Sequence, residues 1–240
     1  MTQQVILITG GTSGIGLGLA QAFMDKGAQV AVCGRSVPAL TRFTERFLQA
    51  LAIQADVTSA MARTRMLQAV ADRFGRLDVL VNNAGTFVER DFAAGVDATL
   101  ALEEEIALNL TAPIQLTGEV LVRWPSLKAI VFVTSGFALV SPTRAPTYGA
   151  VKAGLHAFAD ALRRQLDPEA THVLELMPAM TDTPMNAKAT GKKMSTAAVA
   201  QVTLRALAKR RPLALPGPVR MLPLLLRIAP DVTTRMIAKT

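Results

Sequence analysis

The chain has 240 residues, half of them hydrophobic and 5% aromatic, with a formal net charge of +8 and a single cysteine, Cys33. That length holds one sizeable core of Ala, Val, Leu, Ile and Met, as in a sheet covered by helices, and one thiol excludes an internal disulfide and reads best as a buried small hydrophobe. No window approaches about 18 apolar residues free of charge or proline, which argues against a membrane-spanning helix, and no basic stretch precedes a hydrophobic one at the amino terminus, so a cytoplasmic location is expected.

In chain order, short β-branched and apolar runs alternate with segments of helical period. Strands are predicted over 5–9, 30–33, 51–55, 77–81, 129–134 and 172–176. Helices are predicted over 15–26, 39–48 and 59–74, then as a long one reaching about residue 121, then over 148–166 and 197–210. Repeated βα units imply an α/β fold, a Rossmann-type doubly wound parallel sheet with helices on both faces. One unit is expected across 1–240: a core over 1–184, a polar loop or lid region over 185–212, and a basic, apolar segment over 213–240. In the last of these, Pro216, Pro218, Pro223 and Pro230, with Pro212 just ahead, argue against one continuous helix.

The charge is uneven. From Lys188 onward eleven basic residues stand against one acidic residue, whereas the first 187 residues sum to −2. Such a tail suits an anionic substrate, a membrane surface or an acidic partner, or is simply a solvated basic face. It carries no interleaved aromatics and no known module, so nucleic acid is not expected. His156 and His172 have no metal-ligand spacing, and no metal is expected.

The first strand runs into "TGGTSGIG", residues 9–16, placing Gly10, Gly14 and Gly16 between a strand and a helix. Glycines there let the backbone turn and approach a pyrophosphate while the helix offers unpaired N–H groups. The spacing departs from GxGxxG, and position makes the case for a dinucleotide site. After strand two stand Gly34, Arg35 and Ser36 in place of the carboxylate that would hold a ribose 2′-hydroxyl. A guanidinium suits a 2′-phosphate, so NADP(H) is favoured over NAD(H), with Ser13 as a second phosphate contact. "NNAG" at 82–85 follows strand four, where a strand end borders the crevice, although Asn-rich turns also form for their own sake.

Tyr148 and Lys152 stand four apart on a predicted helix and therefore on one face. An ammonium beside a phenol favours the phenolate, which predicts a lowered Tyr148 pKa and a general acid or base. Ser135, at the end of strand five, is placed to hydrogen-bond a carbonyl, and Asn109 is a polar side chain between Leu108 and Leu110. Singly these residues read as helix surface, cap and buried amide; together they read as a site.

The set T9-G10-x-x-x-G14-x-G16, Asp56, N82-N83-A84-G85, Asn109, Ser135 and Tyr148-x-x-x-Lys152 resembles the short-chain dehydrogenase/reductase family over at least residues 4–184. "ILITGGTSGIGLGLA" and "VTSGFALV" look most like the DltE-like short-chain oxidoreductases. The resemblance implies that Tyr148 transfers the proton and Lys152 shifts its pKa and binds the nicotinamide ribose. It further implies that Ser135 orients the carbonyl, Asn109 holds a water linking Lys152 to solvent, and Asp56 contacts the adenine. Cofactor contacts are expected from Gly10, Thr12, Ser13, Gly14, Ile15, Gly16, Arg35, Ser36, Asp56, Val57, Asn83, Ala84, Gly85, Tyr148, Lys152, Pro178 and Thr183. A homo-oligomer, dimer or tetramer, is also implied. Two features depart from the family: Ala179 replaces a glycine after strand six, and the glycine-rich finishing strand is missing.

Phe87, Phe137, Leu139, Val140, Met180 and Met185 are expected at the mouth, suiting an apolar or partly apolar ketone or secondary alcohol. The segment over 213–240 is expected to cover the pocket, pack on a second subunit or lie on a membrane surface. The expected activity is an NADP(H)-dependent oxidoreductase. The competing readings are a nucleotide-binding sensor or scaffold on the same fold, and a peripheral membrane protein acting through its basic end.

Overall fold

The computed structural model describes residues 3–94 and 97–238. Its strands are β1 Val5–Thr9, β2 Gln29–Gly34, β3 Leu51–Gln54, β4 Val79–Asn82, β5 Ala129–Val133, β6 His172–Leu176 and β7 Leu213–Ala214. They form one sheet in the order β3-β2-β1-β4-β5-β6-β7, every neighbouring pair parallel. The chain leaves β1 for β2 on one side and returns beside β1 as β4, so a crevice opens at the carboxyl ends of β1 and β4. The site residues converge there.

Why the strands read as unbroken apolar runs is clear from the two faces. Val5 and Leu7 point into a core with Met66, Val70, Leu116 and Leu155, while Ile6 and Ile8 point into another with Leu19, Phe23, Phe43 and Val199. Each face of β1 is covered, so alternation gives way to continuous hydrophobicity.

The helices are α1 Gly14–Met24, α2 Val37–Arg46, α3 Ala60–Phe74, α4 Leu102–Ile106, α5 Ala112–Arg123, α6 Pro146–Gln165 and α7 Thr196–Ala208. Their starts follow local chemistry. Ser36, Ser59 and Ser195 accept N–H bonds from Ala39, Ala62 and Ala198 at 3.4, 3.3 and 3.2 Å, each satisfying one orphan donor of a first turn. α2 starts two residues before the predicted position 39 because Ser36 caps it and Pro38 fits its first turn. The long helix expected up to residue 121 is present with one interruption: a π-helical turn over Ala107–Thr111 joins α4 to α5.

The carboxyl end departs from expectation in one respect. A short finishing strand exists: β7 pairs in register with β6, Leu213 beside Glu175 and Ala214 beside Leu176, and Met177 N–H donates to Ala214 O at 3.0 Å. Two residues between proline-containing turns are enough, and no glycine pattern is needed. Beyond it come a 3-10 turn (Gly217–Met221), α8 Leu222–Ile228 and α9 Pro230–Ala238. Pro218, Pro223 and Pro230 each sit in a first turn, where a missing N–H costs nothing, and the chain breaks at Ala229 as the proline spacing requires. Lys239 and Thr240 of the expected terminal segment lie outside the described residues. Among the described residues no helix is long and apolar enough to cross a membrane.

Candidate active site

The turn from β1 into α1 is shaped as a cradle. Gly10 and Gly14 have φ of +64° and +52°, a region an L side chain enters only with strain. A Cβ on Gly16 would stand 2.4 Å from Gly10 O and 2.5 Å from Asn83 Nδ2, so only glycine lets α1 pack this closely on the turn. No side chain caps α1, which leaves the N–H groups of its first turn for an anion. Gly10, Thr12, Ser13, Gly14 and Ile15 line the cavity beside them. Gly16 does not; it supports the turn from behind.

The "NNAG" segment is strapped to this turn. Thr9 Oγ1 accepts from Asn83 N and Ala84 N at 2.9 and 3.0 Å, and Asn83 Nδ2 donates to Thr9 O and Gly10 O at 2.8 and 3.2 Å. Asn82 instead points inward, donating to Thr117 Oγ1 at 3.0 Å. Asn109 holds the next residues: its Oδ1 accepts from Thr86 N and its Nδ2 donates to Thr86 O, both at 3.1 Å. The side chain is fully buried within the π-helical turn. Pro113 explains that turn, because it has no N–H to give the Asn109 carbonyl at the α-helical i+4 position; Ala112 N–H donates five residues back, to Ala107 O.

α6 presents Tyr148 and Lys152 on one face, both buried. Lys152 Nζ donates to Val133 O at 3.0 Å and lies 5.7 Å from the Tyr148 ring centroid. Ser135, at the end of β5, lies within hydrogen-bonding reach of the phenol and accepts from Phe137 N at 3.1 Å. Phe87 meets the Tyr148 ring edge to face at a centroid distance of 4.9 Å, and Phe137 at 6.4 Å. The expected lowering of the Tyr148 pKa is not what the protein does in this form. Burial pushes the phenol up to about 12, against a downward pull from the Ser135 hydrogen bond and with a further push from the Glu105 carboxylate. Burial likewise brings Lys152 down to about 8. Spacing placed both groups on one face; the desolvation of each sets the direction.

Glu105 belongs to a buried pair that sequence reasoning missed. Its Oε2 accepts from Arg90 Nε and Nη2, both at 3.2 Å, and from Thr147 Oγ1 at 2.7 Å. Arg90 also donates to Ala98 O and Leu100 O at 2.7 Å each. The pair thereby ties α4 and the loop after β4 to the residue preceding Tyr148. A second buried carboxylate, Glu175 on β6, accepts from Thr134 Oγ1 at 2.7 Å and meets His156 Nδ1 at 2.8 Å, behind Ser135. Neither pair has a motif spacing that would have exposed it in the sequence.

One cavity of about 750 Å³ runs from the glycine cradle to Tyr148. At its far wall stand Arg35, Ser36, Asp56 and Val57. Arg35 is largely exposed and 4.0 Å from Asp56. Burial works to raise the Asp56 carboxyl, but hydrogen bonds from the Thr58 N–H and hydroxyl, with the Arg35 charge, hold it below the ordinary range. In the middle lie Asn83, Ala84, Gly85, Asn109, Ser135, Tyr148 and Lys152, and across from them Pro178, Ala179 and Thr183. Phe87, Phe137, Met180 and Met185 line it as expected, whereas Leu139 and Val140 lie outside its wall. The wall adds Thr86 and Arg144, which the sequence did not suggest, and Val219, Leu222 and Ile237 from the carboxyl end, for which covering the pocket was one of the expected places. The helical period of "LPLLLRI" with proline in its first turn was a usable signal for α8. Cys33 also borders the cavity, but burial pushes its thiol up to about 12, which removes thiolate chemistry. Among the described residues no cluster of three His, Cys, Asp or Glu could hold a metal ion.

The cradle and the cavity fit a dinucleotide: a side chain at the glycines would fill the approach, and the open first turn of α1 offers donors to phosphate. Comparison with known proteins agrees. Residues 4–194 match the family model described as short chain dehydrogenase. The chain is 38% identical over 196 residues to the uncharacterized oxidoreductase DltE of Bacillus subtilis, covering 80% of this chain and 77% of that protein. An actinorhodin polyketide ketoreductase solved with NADPH is 25% identical, with a TM-score of 0.78 over 88% of this chain and 92% of that one. A short chain dehydrogenase from Burkholderia cenocepacia J2315, solved with NADP, shares the fold at a TM-score of 0.86 and 21% identity, over 98% and 97% of the two chains.

Proposed function

Because the chain belongs to the short chain dehydrogenase family and is an NAD(P)-dependent oxidoreductase, we propose that it reduces an apolar or partly apolar ketone to a secondary alcohol with NADPH. The observation that carries this reading is the buried phenol of Tyr148, grouped with Ser135 and Lys152 in the same cavity as the glycine cradle. The phenol is protonated at neutral pH, the state that a proton donor to a ketone needs.

Gly10, Thr12, Ser13, Gly14 and Ile15 would hold the pyrophosphate, Asn83, Ala84 and Gly85 would lie along the nucleotide, and Lys152, Pro178 and Thr183 would border the nicotinamide. Bound NADPH supplies the hydride that the carbonyl carbon accepts. Ser135 Oγ donates to the carbonyl oxygen and orients it. Tyr148 Oη then gives its proton to that oxygen as it gains negative charge, producing the alcohol. The Lys152 ammonium stabilises the phenolate left behind, and Asn109, through its hold on Thr86, keeps the wall beside Lys152 in place for re-protonation from solvent. Arg35 and Ser36 line the cavity after β2, with no carboxylate directly following that strand, and a guanidinium there supports NADPH over NADH. Phe87, Phe137, Met180 and Met185, joined by Val219, Leu222 and Ile237, favour an apolar substrate. We further infer that the active form is a dimer or tetramer.

The test is fluorescence titration with NADPH and NADH of the wild type, Arg35→Ala and Tyr148→Phe, together with turnover of a panel of ketones. NADPH is expected to bind at least tenfold tighter than NADH, Arg35→Ala to remove most of that preference, and Tyr148→Phe to bind NADPH normally while losing at least about a hundredfold in turnover. Turnover that survives Tyr148→Phe would overturn the assignment of the acid.

A further inference from the structure

The terminal helices have two faces. Inward, Val219, Leu222 and Ile237 close the cavity. Outward, Met221 at the end of the 3-10 turn stands three and four residues before Leu224 and Leu225, Ile228 stands four and three after them, and Val232 and Met236 repeat the spacing of four on α9. All six are exposed, Ile228 at 71% and Val232 at 68%. Scattered exposed apolar residues need no explanation, but a periodic stripe over two adjacent helices is a built surface.

The charge beside it selects the occupant. Arg220, Arg227 and Arg235 are exposed around the stripe, against Asp231 as the one acidic residue between Leu213 and Ala238. A second copy would bring like charge against like charge. An anionic lipid surface answers both features, since the apolar side chains enter the acyl boundary while the guanidinium groups stay among the phosphates. Among the described residues no helix is long and apolar enough to cross a bilayer, so the proposed contact is with one leaflet.

We propose that α8 and α9 dock the protein on an anionic membrane surface through their exposed apolar side chains and arginines. The docking rests on exposure and charge alone.

The experiment is co-sedimentation of the full chain with phosphatidylcholine vesicles and with phosphatidylcholine–phosphatidylglycerol vesicles, using circular dichroism to verify folding of every variant. Binding is expected to the anionic vesicles, at least tenfold weaker to phosphatidylcholine alone, and weakened by salt. Leu224→Asp with Ile228→Asp should abolish it, and Arg227→Gln should weaken it about fivefold, the factor of one basic side chain at an anionic surface. These side chains are exposed, so folding survives the changes. Failure of the folded wild type to bind anionic vesicles would overturn the proposal, as would binding indifferent to the stripe variants. Self-association that Ile228→Asp abolishes, without vesicle binding, would assign the stripe to a second copy instead.

Discussion

Lys152 is kept at a cost to stability. Its fall from 10.5 to about 8 on burial corresponds to about 3 kcal/mol of unfavourable charge burial at neutral pH. Between about pH 8 and 10.5 the unfolded chain holds this proton and the folded chain does not, so the contribution of Lys152 to stability rises with pH through that window. Tyr148 acts in the opposite sense above its ordinary value of 10, where the folded chain holds the proton until about 12, and stability falls as pH rises. Lys152→Met should therefore raise stability at pH 7 by about 1–2 kcal/mol, after the lost bond to Val133 O is discounted, while turnover collapses. The gain should shrink by pH 9.5. Urea denaturation of both proteins at the two pH values measures it, and a variant less stable than wild type at pH 7 would refute the burial cost. The spacing of Tyr148 and Lys152 was legible because helical geometry is local. The direction of their pKa values was not, because it depends on what buries them, and Arg90 and Glu105 come from segments with no motif of their own.

Among the elements, the join of α4 to α5 shows how one residue shapes a site. Pro113 denies Asn109 its i+4 donor and the helix answers with a π-helical turn, which seats the Asn109 amide on Thr86. With Pro113→Ala an N–H returns at that position, and the turn should tighten to α-helix. The expected result is unchanged or slightly higher stability, since alanine is the better helix former, with turnover reduced ten- to a hundredfold through displacement of the wall beside Lys152. Thermal melts and kcat together check this, and unchanged kcat would mean the π-helical turn is incidental. The strands of the core and most helices were readable within two residues because serine caps, prolines and unbroken apolar runs are local signals. β7 was not, since a two-residue strand has no periodicity, and Pro223 and Pro230 carried two messages: they forbid one long helix and also start two short ones.

At the scale of the molecule, neither core cluster includes a residue beyond Ala214, so α8 and α9 are added to a structure that is already closed. Their inward contacts are with the cavity and with the loop before α6, where Thr143 N and Oγ1 donate to Ala238 O at 3.1 and 2.7 Å. That loop leads directly into the helix carrying Tyr148, and the cofactor cradle lies at the other end of the cavity. The proposed function then divides along one chain: the sheet and its first glycine turn would hold the nucleotide, and the terminal helices, which line the cavity through Leu222 and Ile237, would complete the substrate end. Removing residues 230–240 should leave the NADPH dissociation constant within about twofold and the melting temperature within a few degrees, because neither core cluster loses a residue. KM for an apolar ketone should rise about tenfold as Ile237 and its buried area go, on the order of 1–2 kcal/mol of apolar contact. A truncated protein that binds NADPH poorly would show that the terminal helices support the whole cavity, and one with unchanged KM would show that Ile237 closes a part of it the substrate never reaches.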